Sequence, residues 1–131
     1  EIEAFVADRL LEAIWRESLW LIKDGICTTA ELDDIVRFGF GLRYAQMGVF
    51  DTYRIAGGNA GMRHFMAQFG PCLKLPWTKL KAPKLSKKLS SRLISGTAKQ
   101  AKGKSVAMIS NIRDQYLVDI QKLRKKYEKK T

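Results

Sequence analysis

Residues that usually carry catalysis or hold metals are scarce in this sequence. It has a single histidine, His64, and two cysteines, Cys27 and Cys72, which lie 45 positions apart. One histidine without carboxylates or thiols at ligand spacing does not make a metal site, and two isolated cysteines suit neither a zinc knuckle nor a disulfide scaffold. We therefore predict no metal site, no catalytic residue in this chain, and two reduced, half-buried thiols.

Long apolar runs and targeting signals are also missing. No wholly apolar stretch exceeds four residues, whereas a membrane-spanning helix needs at least about 18. The N-terminal sequence, Glu1-Ile-Glu, has neither the basic nor the apolar region of a signal peptide, and it has no initiating methionine. We therefore expect a cytoplasmic domain without membrane contact, cut from a longer chain.

The net charge of +11 belongs to one half of the chain. Residues 1–70 carry −3 and residues 71–131 carry +14, much of it in the lysine-rich runs Lys84–Lys88 and Lys122–Lys130. Charge runs are usually solvated faces, and nucleic-acid sites add arginine, stacking aromatic residues or a groove-fitting motif. We predict no nucleic-acid partner, and a basic helical module that binds nucleic acid or an acidic partner is the distant alternative.

Apolar residues recur at steps of three and four, the period of an amphipathic α-helix, and no stretch alternates as a strand does. The 131 residues fit one all-α domain. Gly25 ends the first predicted helix, and Thr28 and Glu31 have the spacing of a capping box for the second. The predicted helices cover residues 2–24, 29–38, 50–56, 60–69, 85–100 and 105–126.

Two of these helices have a clear predicted inward face. In the second helix it comprises Leu32, Ile35, Val36 and Phe38. In the last helix it comprises Ile109, Ile112, Tyr116, Ile120, Leu123 and Tyr127. Because a helix buries its apolar stripe, we expect both sets to be covered.

Glycines punctuate the middle of the chain. Residues 39–50 contain three of them and predict a loop, and Gly70-Pro71 stops a helix. Gly57–Gly61 lies between two predicted helices, whereas a dinucleotide fold needs Gly-x-Gly-x-x-Gly after a strand. We interpret Gly57–Gly61 as a tight turn between helices and not as a phosphate cradle.

Three clusters of residues resemble a known family. They are Phe5-Val-Ala-Asp-Arg-Leu10; Leu32 to Phe50, with Phe-Gly-Phe-Gly-Leu-Arg-Tyr-Ala at its centre; and Tyr53-Arg-Ile-Ala-Gly-Gly with Gly61-Met-Arg-His-Phe and Pro76-Trp-Thr-Lys. The clusters resemble the C-terminal domain of the 3-hydroxyacyl-CoA dehydrogenase superfamily. Arg43-Tyr-Ala and Gly61-Met-Arg resemble its L-carnitine dehydrogenase and lambda-crystallin branch in particular. The match covers residues 3 to about 80, and 81–131 form basic C-terminal helices.

The resemblance implies an all-α domain like the dimerisation domain of the 6-phosphogluconate dehydrogenase C-terminal-like fold. It implies a two-domain oxidoreductase in which an N-terminal Rossmann domain, outside this chain, binds NAD and supplies the catalytic residues. The helical domain then forms a homodimer and closes over a small-molecule substrate. The fragment alone is expected to be inactive and to bind no cofactor.

The same resemblance points to substrate-binding residues. Asp8 stands where acyl-CoA members of the family carry asparagine, and an ionised aspartate can only accept hydrogen bonds, which leaves room for a charged substrate. L-carnitine, oxidised to 3-dehydrocarnitine, is the leading substrate. Arg43 can clamp its carboxylate, and aromatic residues that include Phe40, Tyr44 and Trp77 can face its ammonium. The alternatives are a 3-hydroxyacyl-CoA or hydroxy-acid substrate, and aromatic residues that merely fill the core.

Overall fold

The computed structural model describes residues 5–45, 47–81, 83–84 and 86–128. These residues form six α-helices and no strand, which confirms the predicted all-α class. None of the helices in the described ranges is long and apolar enough to cross a membrane. The helices are α1 (Val6–Lys23), α2 (Thr29–Phe38), α3 (Val49–Ala56), α4 (Gly61–Phe69), α5 (Lys87–Ala101) and α6 (Val106–Glu128).

Short 3₁₀ helices occupy places where the sequence predicted a loop or a stop. Phe40–Ala45 forms one within the predicted loop 39–50, and Gly70–Lys74 forms another where Gly70-Pro71 was expected to stop the helix predicted at 60–69. Glycine and proline exclude a long α-helix there, but they permit the tighter i→i+3 turn. The first helix also begins later than predicted, because Phe5 is extended; residues 2–4 lie outside the described ranges.

The joint between α1 and α2 follows the sequence prediction. Gly25 has a φ of 71°, the left-handed conformation that glycine adopts without strain. The Thr28 hydroxyl accepts from the Glu31 backbone N–H at 3.2 Å, and the Thr28 N–H donates to Glu31 Oε2 at 2.8 Å, which completes the capping box. The backbone hydrogen bond from Thr28, and then the one from its hydroxyl, lowers the pKa of Glu31. The stability that the Glu31 carboxylate adds to the capping box is therefore present at neutral pH and is lost as the pH falls through the lowered pKa. The bond from the Glu31 N–H to the Thr28 hydroxyl does not titrate.

Helix α5 packs across α1 and α2 and holds them together. Leu89 of α5 is buried with Leu19 and Ile22 of α1 in a small core. Arg92 Nη1 donates to the carbonyl oxygens of Ile22 at 3.1 Å and Lys23 at 3.0 Å. The Ile22 carbonyl also accepts from the Gly25 N–H at 3.2 Å, so the guanidinium adds a second donor there and supplies one to the Lys23 carbonyl. Its positive charge at the C-terminus of α1 also interacts favourably with the helix dipole.

Helices α3 and α4 form a tight hairpin. Tyr53 stacks on Phe65 with 4.6 Å between ring centroids, and Phe65 lies 5.0 Å from the ring of Phe69. The turn between the helices is a 3₁₀ segment, Gly58–Ala60, with φ values of 61° at Gly58 and 60° at Gly61. The predicted turn at Gly57–Gly61 is therefore confirmed.

Much of the predicted inward surface is uncovered in the single chain. Ile35 is 54% exposed, Phe38 68%, Tyr116 66% and Leu123 56%, so the predicted burial of these faces is wrong for one chain alone. Ile112 and Tyr127 are also exposed, Leu32, Val36 and Ile120 are half-buried, and the side chain of Ile109 lies outside the described set. An amphipathic pattern indicates that a face is to be covered, but it does not say which chain covers it.

The solvent-accessible surface agrees with this open architecture. The chain exposes 11,433 Å², whereas a compact monomer of its mass exposes about 7,000 Å². The difference of about 4,000 Å² is surface that a compact monomer of this mass would bury. Helix α6 contributes to it, since it makes no extended contact with any other element of the described chain.

Candidate functional site

The 3₁₀ helix Phe40–Ala45 carries three of the five predicted substrate-binding residues. Gly39 and Gly41 allow it to turn back directly against α2, because a Cβ atom on either would overlap a carbonyl oxygen of that helix. Phe40 and Arg43 project to the same side, since residues three apart eclipse one another in a 3₁₀ helix. Tyr44 contacts Phe40 edge to face, with 6.0 Å between ring centroids and an interplanar angle of 68°.

Arg43 is exposed and has no carboxylate within ion-pair distance among the described residues. Other arginines are used within the fold. Arg37 pairs with Asp34 at 3.6 Å, and Arg92 caps α1. The guanidinium of Arg43 is therefore available to an external anion, and Phe40 and Tyr44 lie on the same 3₁₀ helix.

Asp8 and Trp77 lie elsewhere on the surface. Asp8 is exposed in the first turn of α1, and Trp77 is 70% exposed in the segment after the 3₁₀ helix Gly70–Lys74. No hydrogen bond, ion pair or ring contact of the described chain joins either residue to the Phe40–Ala45 segment. The structure thus brings together Phe40, Arg43 and Tyr44 and leaves the other two predicted residues apart from them.

A polar clasp on α1 was missed by sequence reasoning. Glu17 Oε1 accepts hydrogen bonds from the backbone N–H groups of Lys79, at 2.7 Å, and Leu80. The Trp20 indole N–H donates to the Lys81 carbonyl at 2.5 Å. These contacts join residues more than 60 positions apart, so a local sequence pattern does not predict them. The clasp fixes the irregular connection between the α3–α4 hairpin and α5 along the flank of α1.

Two ammonium groups contact the indole ring of this clasp. Lys79 Nζ lies 3.9 Å from the Trp20 ring centroid and Lys23 Nζ lies 4.7 Å from it. Lys79 Nζ also donates to Asp24 Oδ2 at 3.2 Å, and this hydrogen bond lowers the pKa of Asp24. The chain's own lysines occupy this aromatic face, so it serves the fold and is not open to a ligand cation.

A cleft of about 360 Å³ lies where α1, α2 and α5 meet. Cys27 and Glu31 are among the residues that line it, and both cysteines are free and half-buried as predicted. Burial raises the pKa of the Cys27 thiol, and the Glu31 carboxylate adds to this effect. A thiol with a raised pKa is a weak nucleophile at neutral pH. In the described ranges no three metal-binding side chains cluster, and His64 is exposed on α4.

The residues of the candidate site lie in the part of the chain that matches a known protein family. Residues 5–104 match the family model of the 3-hydroxyacyl-CoA dehydrogenase, C-terminal domain. The chain belongs to this family. Asp8, Phe40, Arg43, Tyr44 and Trp77 all lie within the matched range.

Curated relatives narrow the resemblance within the 3-hydroxyacyl-CoA dehydrogenase C-terminal domain family. The chain is 64% identical over 121 residues to an L-carnitine dehydrogenase of Mesorhizobium japonicum, which covers 92% of the chain and 33% of the relative. It is 57% identical over 120 residues to that of Pseudomonas aeruginosa, covering 92% and 37%. It is 60% identical over 121 residues to an L-carnitine dehydrogenase/betainyl-CoA thioesterase of Rhizobium meliloti, covering 92% and 24%. The chain therefore spans about a quarter to somewhat more than a third of these relatives.

The family match and the helical architecture end at different places. The family model stops at residue 104, just before α6 begins at Val106. A match of 121 of the 131 residues nevertheless extends into α6 in the L-carnitine dehydrogenase of Mesorhizobium japonicum. Helix α6 therefore lies beyond the range of the family model and is reached by the match to this relative.

Proposed function

We propose that this chain is the substrate-closing and dimerisation domain of an NAD-dependent dehydrogenase that oxidises L-carnitine to 3-dehydrocarnitine. The observation that carries the proposal is its 53–64% identity, over 92% of the chain, to proteins named L-carnitine dehydrogenase. The available guanidinium of Arg43 and the aromatic pair next to it supply chemistry that suits such a substrate.

The Phe40–Ala45 segment suits a substrate with a carboxylate at one end and an ammonium at the other. Arg43 offers two parallel N–H donors to a carboxylate, which fixes both its position and its orientation. The faces of Phe40 and Tyr44 attract a quaternary ammonium through their ring quadrupoles. Asp8 and Trp77 stay predictions from the family resemblance, because no contact of the described chain joins them to this segment.

NAD does not fit the residues of this chain. The Gly57–Gly61 stretch connects one helix to another, whereas dinucleotide phosphates are bound at a turn between a strand and a helix. The proposal therefore places NAD and the catalytic residues in a Rossmann domain elsewhere in the longer enzyme, as the family resemblance implies. This chain contributes substrate binding and the exclusion of water by closure.

The longer enzyme and this chain alone are expected to differ sharply in activity. We expect the longer enzyme to reduce NAD when L-carnitine is added, followed by NADH absorbance, and the isolated chain to show neither activity nor micromolar NAD binding by calorimetry. The control is a second substrate, a 3-hydroxyacyl-CoA, which the family name favours as the alternative. Micromolar NAD binding by the isolated chain contradicts the assignment, and preference for the acyl-CoA replaces L-carnitine with that alternative.

The proposal includes a symmetric homodimer formed through the helical domain. The N-terminal two-thirds of α1 exposes a contiguous set of apolar side chains that no described element covers: Val6, Leu10, Leu11, Ile14 and Trp15. A two-fold partner buries the same patch on both copies. The near-neutral half of the chain favours this contact, whereas the net +14 of residues 71–131 makes like surfaces repel.

Light scattering tests the homodimer directly. At micromolar concentration and physiological salt we expect a mass about twice the 14.9 kDa of one chain. The variant Leu11→Asp removes apolar contact at a side chain that is 64% exposed in the single chain, so it weakens association without unfolding the chain. A wild-type chain that scatters as a monomer refutes the homodimer.

A further inference from the structure

The segment after the 3₁₀ helix Gly70–Lys74 contains a leucine with left-handed backbone angles. Leu80 has a φ of 51°, a conformation that is unfavourable for a residue with a Cβ. Among the described residues Lys102 also has a positive φ, but it is the C-cap of α5, where a left-handed residue commonly ends a helix. Leu80 ends no helix. Backbone strain of this kind persists only where other contacts fix it, and it clusters at binding and catalytic sites.

One carboxylate oxygen of α1 fixes the backbone at Leu80. Glu17 Oε1 accepts hydrogen bonds from the N–H groups of both Lys79, at 2.7 Å, and Leu80. Two successive N–H groups that point at one anion form a concave site, which arises in kinked backbone and not in an extended strand. Hydrogen bonds to a charged acceptor are stronger than those between neutral groups, and Glu17 is half-buried. The carboxylate therefore offsets the strain at Leu80.

Both ends of the stretch that carries Trp77 are anchored. On one side the Leu75 N–H donates to the Cys72 carbonyl at 2.9 Å, and on the other the clasp holds the Lys79 N–H. Three residues lie between these anchors, and the first of them, Pro76, has a φ that its ring fixes. The backbone at Trp77 therefore has little freedom, although the side chain is 70% exposed.

The indole ring of Trp77 has no aromatic or cation contact within the ranges that the structure describes. The Trp20 ring shows what an indole face attracts, since the ammonium groups of Lys79 and Lys23 lie 3.9 Å and 4.7 Å from its centroid. A ring whose backbone is already held loses less freedom when it binds a ligand. Trp77 is thus a preformed contact for a cation, and the quaternary ammonium of L-carnitine is such a cation.

We propose that Glu17 is a positioning residue of the substrate surface, which keeps Trp77 in place for the quaternary ammonium by holding the N–H groups of Lys79 and Leu80. The inference rests on the proposed function and adds to it a residue of α1 that binds no substrate itself. No contact joins Trp77 to the Phe40–Ala45 segment, so in this proposal the two approach the ammonium from different sides.

Two substrates and a double-variant cycle in the longer enzyme test the positioning role. The second substrate is the neutral analogue of L-carnitine in which a carbon atom replaces the ammonium nitrogen. We expect Trp77→Ala and Glu17→Met each to lower the preference for L-carnitine, the ratio of the two kcat/KM values, about fivefold. A merely structural defect lowers both values together and leaves their ratio unchanged. The double variant is expected to have the ratio of Trp77→Ala alone, because Glu17 acts through that ring.

Glu17→Gln and Glu12→Met are the matched controls. Glutamine keeps an oxygen that accepts from both N–H groups, so we expect its ratio to stay within about twofold of wild type. Glu12 lies five positions earlier on α1 and pairs with Arg16 at 3.1 Å on the surface, so its loss leaves the ratio unchanged. Methionine is a good helix former of similar length, and equal helicity by circular dichroism verifies the fold.

Hydrogen exchange measured by mass spectrometry reports on the clasp without reference to activity. We expect Glu17→Met, but not Glu12→Met, to speed exchange in the peptides that contain residues 79 and 80. Unchanged exchange there overturns the positioning role. So does an unchanged ratio in Glu17→Met or Trp77→Ala, or a double variant in which the two effects add, while the proposed function stands. A wild-type longer enzyme that does not oxidise L-carnitine overturns the proposed function and this inference together.

Discussion

Methionine in place of Arg43 will lower kcat/KM for the substrate of the longer enzyme by about 2–4 kcal/mol, roughly 30- to 1,000-fold. Arg43 lies on the 3₁₀ helix Phe40–Ala45 with no carboxylate partner among the described residues, so its charge is free to bind the substrate. In the proposed function, closure of the domains removes water from that contact and strengthens it. Steady-state kinetics with L-carnitine measures the loss.

The matched control for this change is Arg37→Met. Arg37 is also an exposed arginine near the end of α2, but it pairs with Asp34 at 3.6 Å on the surface, a contact worth about 0–1 kcal/mol. We expect its kcat/KM to stay within about twofold of wild type, and both variants to melt within a few degrees of it. If Arg43→Met leaves kcat/KM unchanged for L-carnitine and for 3-hydroxyacyl-CoA substrates, Arg43 does not bind the substrate.

Alanine in place of Gly57 will destabilise the chain by about 3 kcal/mol or more. A Cβ atom at this position would overlap the Gly61 carbonyl, coming within 2.7 Å of its carbon, and would lie 3.1 Å from the backbone nitrogen of Phe65. These are backbone atoms of the α3–α4 hairpin, so no side-chain movement relieves the overlap. Urea unfolding followed by circular dichroism measures the effect.

Gly70→Ala provides a control within the same chain. Gly70 has helical dihedral angles, φ −54° and ψ −42°, and apart from its chain neighbours no atom lies within 4 Å of the position of an added Cβ. Alanine there restricts the unfolded chain, which stabilises, but the ring of Pro71 disfavours helical angles for a preceding residue with a Cβ, so we expect a net change of less than about 1 kcal/mol. Equal midpoints for Gly57→Ala and Gly70→Ala would show that the α3–α4 turn is not packed as described.

Local features of the fold were largely predictable from neighbouring residues. The apolar period predicted six helices, Gly25 and the Thr28–Glu31 capping box predicted the α1–α2 joint, and Gly57–Gly61 predicted a turn. These features depend on backbone conformations and hydrogen bonds within a few positions. The role of Gly57 itself was not predictable, since its φ of −76° is ordinary and only the approach of Gly61 and Phe65 excludes a side chain.

The candidate site also has a part that local sequence predicts and a part that it does not. Its three residues on the 3₁₀ helix Phe40–Ala45 lie together because they are neighbours in sequence, whereas Asp8 and Trp77 were joined to them by family resemblance alone, and this chain leaves them apart. The clasp between Glu17, Trp20 and the segment 79–81 gave no signal, because its partners are more than 60 positions apart.

Neighbouring residues and similarity along the chain were enough to predict the all-α class, the helix positions and the family. Those properties follow from local periodicity, capping chemistry and similarity along the chain. The substrate-binding residues stay a prediction. Which apolar faces the chain covers for itself depends on contacts between distant helices. Helix α5 buries Leu19 and Ile22, while the apolar side chains from Val6 to Trp15 on α1 and Tyr116 and Leu123 on α6 stay exposed. The physical reason is that a periodic apolar pattern indicates that a helix face is to be buried. It does not indicate whether the covering surface lies in the same chain or in another.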